Sequence, residues 1–263
     1  MNEHFSWYRL GLLMRNDIVR GYRSFLTACI SLSIIMLLNA LPGAAFGHVR
    51  DGFYFGWFTG MLLIWGTIHA SLLFTELHDK TRNEGWLLLP ASALEKTLAR
   101  LLNGTLFFIL LLLLFTILSS LIIEGINQGL LGRHNPLFNP LAPAVWEVIG
   151  LFLVIQPVFF LGGAWFRKHC WVKTVTSGFL IALGLGLLAC IVFLILFAGY
   201  FSDGGWVLPQ EFNLGGTGLN EDAAMMFDAA VIGLKILCYG IMPPFCWYIA
   251  WLRVQETQVN YGV

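Results

Sequence analysis

The run Thr105–Ile123 reads T-L-F-F-I-L-L-L-L-L-F-T-I-L-S-S-L-I-I, without one charged residue. As an α-helix it spans about 29 Å, close to the ~30 Å hydrocarbon core of a bilayer. A barrel strand crosses in about 9–11 residues and alternates between polar and apolar positions. This run is longer and does not alternate. In lipid a helix satisfies every backbone group within its own segment. The run therefore predicts a membrane-spanning helix and an all-α fold.

Five more apolar runs surround it, at Phe25–Phe46, Phe53–Phe74, Val145–Phe166, Val175–Tyr200 and Ala229–Trp251. The expectation is a single six-helix transmembrane domain over residues 1–263, with the bundle occupying 25–251. Composition agrees. The chain has 263 residues, of which 58% are apolar and 11% charged, and its mean hydropathy is +0.76. Soluble domains carry about 25% charged residues. The net charge of zero says nothing by itself about nucleic acid, and no nucleic-acid partner is expected.

The placement of Lys and Arg sets an orientation. Twelve lie on one side: Arg9, Arg15, Arg20, Arg23, Lys80, Arg82, Lys96, Arg100, Arg167, Lys168, Lys173 and Arg253. The other side has two, Arg50 and Arg133, and Lys235 sits within the last run. The expectation is cytoplasmic N- and C-termini and a cytoplasmic segment 75–103. The first residues show no basic n-region followed by an apolar core, so a cleaved signal peptide is not expected. Five scattered cysteines form no C-x-x-C pair and read as small buried hydrophobes.

Ahead of the first run, residues 5–23 place Tyr8, Leu12, Ile18, Val19 and Tyr22 at roughly helical spacing among arginines. This predicts an amphipathic interfacial helix. The extracytoplasmic loop 201–228 is acidic, with Asp203, Glu211, Glu221, Asp222 and Asp228, yet contains Trp206 and Phe212. It reads either as a solvated loop or as a re-entrant one covering a vestibule.

Chemistry is sparse. A nucleotide-binding loop needs G-x-x-x-x-G-K-[ST], and no Gly-Lys pair occurs. No H-E-x-x-H metal motif and no nucleophile–base pair is present, so neither a catalytic residue nor a metal site is expected. Gly56 and Gly60, and the stripe Gly178, Ala182, Gly186 and Cys190, suit close helix packing. A few polar or helix-breaking residues inside the runs are pathway or hinge candidates: His69, Gln156, Pro157, Lys235, Pro243 and Pro244. Each has a plain alternative. His69 suits a hydrogen-bonded packing role, Lys235 suits snorkelling or pairing with Asp228, and the prolines suit packing shape.

The segment 75–103 carries the most pattern. Asn83-Glu84-Gly85 is a turn signal, Trp86–Leu89 is a short apolar patch, and Pro90 blocks helix continuation. Ser92-Ala93-Leu94-Glu95 is a capping box that predicts a fresh helix from about Ala93. In this arrangement the chain resembles permease subunits of ABC-2-type transporters. The resemblance rests on Arg82, Glu84, Gly85, Leu88, Leu89, Pro90, Glu95 and Lys96, and on F-S-W-Y-R-L-G-L-L-M-R-N-D at Phe5–Asp17. It implies a coupling helix between helices 2 and 3 that docks on a separate ABC-type ATPase, with Trp86 in the contact. It also implies a second permease subunit, as homodimer or related heterodimer. No cofactor is expected in this chain, and ATP and Mg²⁺ would sit on the ATPase. The implied function is half of an ATP-driven exporter, multi-pass in the cell membrane, as in a bacterial inner membrane. The alternatives are an ATPase-independent secondary transporter and a structural or sensory membrane subunit.

Overall fold

The computed structural model describes residues 5–46, 52–78, 89, 91–132, 136–196, 232–233 and 235–260. Among them no strand occurs. Helix α1 covers Trp7–Phe46. Helix α2 covers Phe53–His78 and contains a π-helical turn at Met61–Trp65. Helix α3, Ala93–Leu102, runs through a second π-helical turn, Asn103–Phe107, into α4, Phe108–Leu131. Helix α5 is Pro143–Trp165, α6 is Cys170–Leu196 and α7 is Met242–Asn260. Among the described residues four helices are long and apolar enough to cross a membrane, and a fifth is added when the two bent halves of α1 count together. The loop 201–228 and most of the segment 79–90 lie outside the described residues, as does part of the run expected at Ala229–Trp251.

The interfacial helix and the first apolar run are one helix. Trp7–Arg23 and Phe25–Ala40 meet at a 47° bend. Gly21 lies just before that bend. Beyond it, the Thr27 hydroxyl donates to the Arg23 carbonyl at 2.9 Å and the Ser31 hydroxyl to Thr27 at 2.9 Å. Glycine and such back-bonding hydroxyls are recognised sources of helix bending. Helix α5 continues through Pro157, and Pro243 and Pro244 lie in α7 directly after the π-helical turn Leu237–Ile241, so neither site ends its helix.

The chain forms two compact units, Met1–Trp171 with Met242–Val263, and Val172–Ile241. In the first, α5 packs on α2 and on α7, while α3 and α4 pack on α1. Aromatic rings join its helices. Phe25 of α1 stacks on Trp65 of α2 at 5.2 Å, Trp65 meets Phe108 of α4 edge-on at 5.6 Å, and Phe108 lies 6.3 Å from Phe152 of α5. A second cluster, Leu73, Phe74, Leu77, Phe160, Ala164, Ala250 and Val254, fills the space near the charged end. The described part of the second unit is the body of α6 and a helical piece containing a π-helical turn at Leu237–Ile241.

Close packing of α2 on α5 depends on glycine. A Cβ on Gly163 would lie 2.6 Å from the Ser71 carbonyl oxygen, and one on Gly66 would lie 2.6 Å from the Phe152 ring. Without a hydrophobic driving force between helices in lipid, such approach is what supplies packing energy. Gly163→Ala should therefore lower stability by about 2 kcal/mol, because backbone must move. Gly150→Ala on the same helix meets open space. It should be neutral or gain up to about 1 kcal/mol from helix propensity. Thermal unfolding of the two variants in detergent checks the contrast.

Candidate functional site

The first turns of α3 carry charges that a helix entering lipid cannot leave unanswered. Ser92 caps the helix in the predicted way. The Glu95 amide donates to the Ser92 hydroxyl at 3.2 Å, and the Ser92 amide donates to Glu95 Oε2 at 2.9 Å. Such a cap contributes about 1 kcal/mol. The second carboxylate oxygen of Glu95 has a separate task. It accepts the Ser6 amide at 2.7 Å and Arg9 Nη2 at 3.0 Å. Glu95 is fully buried, so one carboxylate both starts α3 and fastens the beginning of α1 to it.

About a turn and a half further on, Arg100 reaches the rest of the bundle. Its Nε lies 3.1 Å from Asp17 Oδ2 on α1, and its Nη2 donates to Glu76 Oε2 on α2 at 2.6 Å. Its Nη1 donates to the Leu73 carbonyl of α2. Arg20 of α1 approaches the other Glu76 oxygen at 3.8 Å. The fork of a guanidinium suits this pattern, since it presents several donors in fixed directions. Asn103, at the start of the π-helical turn, adds a bond from Nδ2 to the Met14 carbonyl at 3.5 Å and an amide contact to Asp17. The result is a polar hub that ties α1, α2 and α3 together at one end of the first unit.

Above the hub the interior holds uncharged polar groups. The His69 ring stacks on Phe108 at 5.0 Å, and its Nδ1 is buried without a partner. Gln156 on α5 is fully buried, and neither end of its amide has a partner. The Trp171 indole donates to the Thr67 hydroxyl at 3.1 Å, and His78 Nε2 lies 3.0 Å from the Gly163 carbonyl. At the far end of α4, the Tyr54 hydroxyl donates to Glu124 Oε1 at 2.5 Å and Asn127 is 3.4 Å from the same oxygen.

The residues singled out in the sequence fall into three groups. Arg82, Glu84, Gly85, Trp86, Leu88 and Pro90 lie outside the described residues. Leu89 packs against the apolar cluster near the charged end, and Glu95 and Lys96 are turned inward, 0% and 2% exposed. His69, Gln156 and Pro157 lie inside the first unit, whereas Lys235 belongs to the second and is exposed. The structure joins Ser6, Arg9 and Asp17 of the N-terminal motif to the segment 75–103, through Glu95 and through two residues the motifs did not contain, Glu76 and Arg100. Their signal in the sequence is isolated charge bordering apolar runs. No group of three or more metal-ligating side chains is gathered among the described residues, and no disulfide joins the five cysteines there. Comparison with protein-family models, with curated proteins and with solved structures finds no match to this chain.

The hub has unequal members. Arg100→Leu leaves the Asp17 and Glu76 carboxylates without their main cation in a half-buried place, which should cost about 3 kcal/mol. Arg20→Leu removes a long contact from an exposed side chain and should cost less than about 1 kcal/mol. Denaturant titration in micelles separates the two. Equal costs would show that Arg100 is not the centre of the hub.

Proposed function

We propose that this chain is the transmembrane permease subunit of an ATP-driven ABC-type exporter. In this reading it has six spans with both termini in the cytoplasm, in a bacterial inner membrane. It pairs with a second permease subunit and borrows hydrolysis from a separate ATPase that holds ATP and Mg²⁺. The observation that carries the reading is the mechanical tie at the charged end. Helix α3 follows directly on the segment 79–90, starts at a capped turn, and continues into a spanning helix. Through Glu95 it holds the start of α1, and through Arg100 it holds α1 and the end of α2.

A displacement of segment 79–90 by an ATPase therefore reaches three helices through buried, directional bonds. Ala93–Gly129 is 37 residues of helix, about 55 Å, so the charged first turns stand outside a ~30 Å hydrocarbon core. They are placed to receive a force from a soluble partner. The inward-facing Glu95 and Lys96 act in this scheme as transmitters, and the partner contact falls to Arg82, Glu84 and Trp86–Leu88. Nucleotide shifts the permease between states by binding one ATPase arrangement more tightly than the other.

Co-expression with a candidate ABC-type ATPase should give a complex that survives purification. Glu84→Lys should leave the fold intact and lower transport-coupled ATP hydrolysis at least tenfold, read with the complex in proteoliposomes. A chain that never retains an ATPase overturns the reading, and unchanged coupled hydrolysis in Glu84→Lys removes the assigned contact.

A further inference from the structure

The outer face of α1 changes chemistry at its bend. Arg15, Val19, Tyr22 and Arg23 are exposed on the first half, and Leu26, Ile30 and Ile34 are exposed on the second. Their spacing of three or four residues puts them on one stripe. The stripe is cationic and aromatic before the bend and purely apolar after it.

The cations on this stripe are not answered by protein. Asp17 is the only acidic residue between Phe5 and Phe46, and Arg100 holds it. Of the four arginines in that stretch, Arg9 pairs with Glu95 and Arg20 approaches Glu76. Among the described residues Arg15 and Arg23 have no ion-pair partner. Arg23 Nε donates to the Tyr22 hydroxyl at 3.0 Å, and neither of its Nη groups is engaged by a described residue. Tyrosine is a residue type enriched at headgroup level. Two guanidinium groups flanking it are therefore left for an anion from outside the chain.

Dimensions say which anion. With Phe25–Ala40 crossing the bilayer, the first half of α1 departs from it by 47°. Arg15 then stands about 8 Å beyond Arg23 along the membrane normal. The polar layer on each side of the hydrocarbon core is about 5–8 Å deep, so both guanidinium groups lie at headgroup level. From Arg23 to Ile34 the helix rises about 16 Å, close to the ~15 Å depth of one leaflet's acyl layer. An acidic protein would meet the arginines and could not follow the stripe into hydrocarbon.

We propose that this stripe selects an anionic phospholipid. A phosphate engages Arg23, Arg15 adds its positive field at the outer edge of the headgroup layer, and an acyl chain follows Leu26, Ile30 and Ile34. The surface rests on the second half of α1 lying in lipid. It needs neither an ATPase nor a second subunit, so its failure leaves the transport reading as it stands.

The test is native mass spectrometry of the purified full chain in micelles holding equal amounts of palmitoyl-oleoyl phosphatidylglycerol and palmitoyl-oleoyl phosphatidylcholine. Retention of phosphatidylglycerol at least tenfold over phosphatidylcholine is expected. A basic residue at an anionic membrane surface is worth about fivefold in affinity. Arg15→Gln combined with Arg23→Gln should therefore lower that retention by about 25-fold, with an unchanged melting temperature because both side chains are exposed. Arg167→Gln combined with Lys168→Gln removes two exposed cations from the turn between α5 and α6 and should leave retention within twofold. Glycerol phosphate, the headgroup without its chains, should compete at least tenfold more weakly than the lipid. Equal retention of the two lipids would overturn the proposal. Equal losses in the two double variants would overturn it as well, since selection would then belong to the whole basic end of the molecule. Full competition by glycerol phosphate would replace the lipid site with a simple anion site.

Discussion

Arg100 sits where a helix leaves water for an apolar bundle, and its charge must be answered by protein. Two carboxylates and a backbone carbonyl on two other helices do so. The geometry of a guanidinium turns that electrostatic need into a structural constraint. Asp17, Glu76 and Leu73 have to converge on one point, which fixes how α1 and α2 end relative to α3. Glu95 repeats the logic one turn and a half earlier with the opposite sign. It caps its own helix with one oxygen and secures the start of α1 with the other.

Beyond the hub, contacts change character. Packing relies on close approach at Gly66 and Gly163 and on rings handed from α1 to α5. Such contacts are short-ranged and need matched shapes, so they reward one arrangement of helices strongly. The polar groups left among them, His69 and Gln156 in particular, occupy positions where an apolar residue would have served packing alone.

The helical class was legible from Thr105–Ile123 alone, because run length and the absence of alternation leave one solution in lipid. The start of α3 was legible as well, since a capping box is a local device whose partners are three residues apart. The hub was not. Arg100 finds Asp17 and Glu76 at separations of 83 and 24 residues, and no periodicity reports a pairing across helices. The bend in α1 was hidden for a related reason. Residues 5–23 and the run after them differ in amphipathicity, and that contrast looks like a break, whereas the backbone simply turns 47° and continues.

The π-helical turn at Asn103–Phe107 inserts one extra residue between α3 and α4. The extra residue is taken up within the wider turn, because five π-helical residues and four α-helical ones both sweep about 400°. The charged face of α3 and the apolar face of α4 therefore keep nearly the phase of an unbroken helix, and the turn widens the helix at the level of Asn103 without rotating one end against the other.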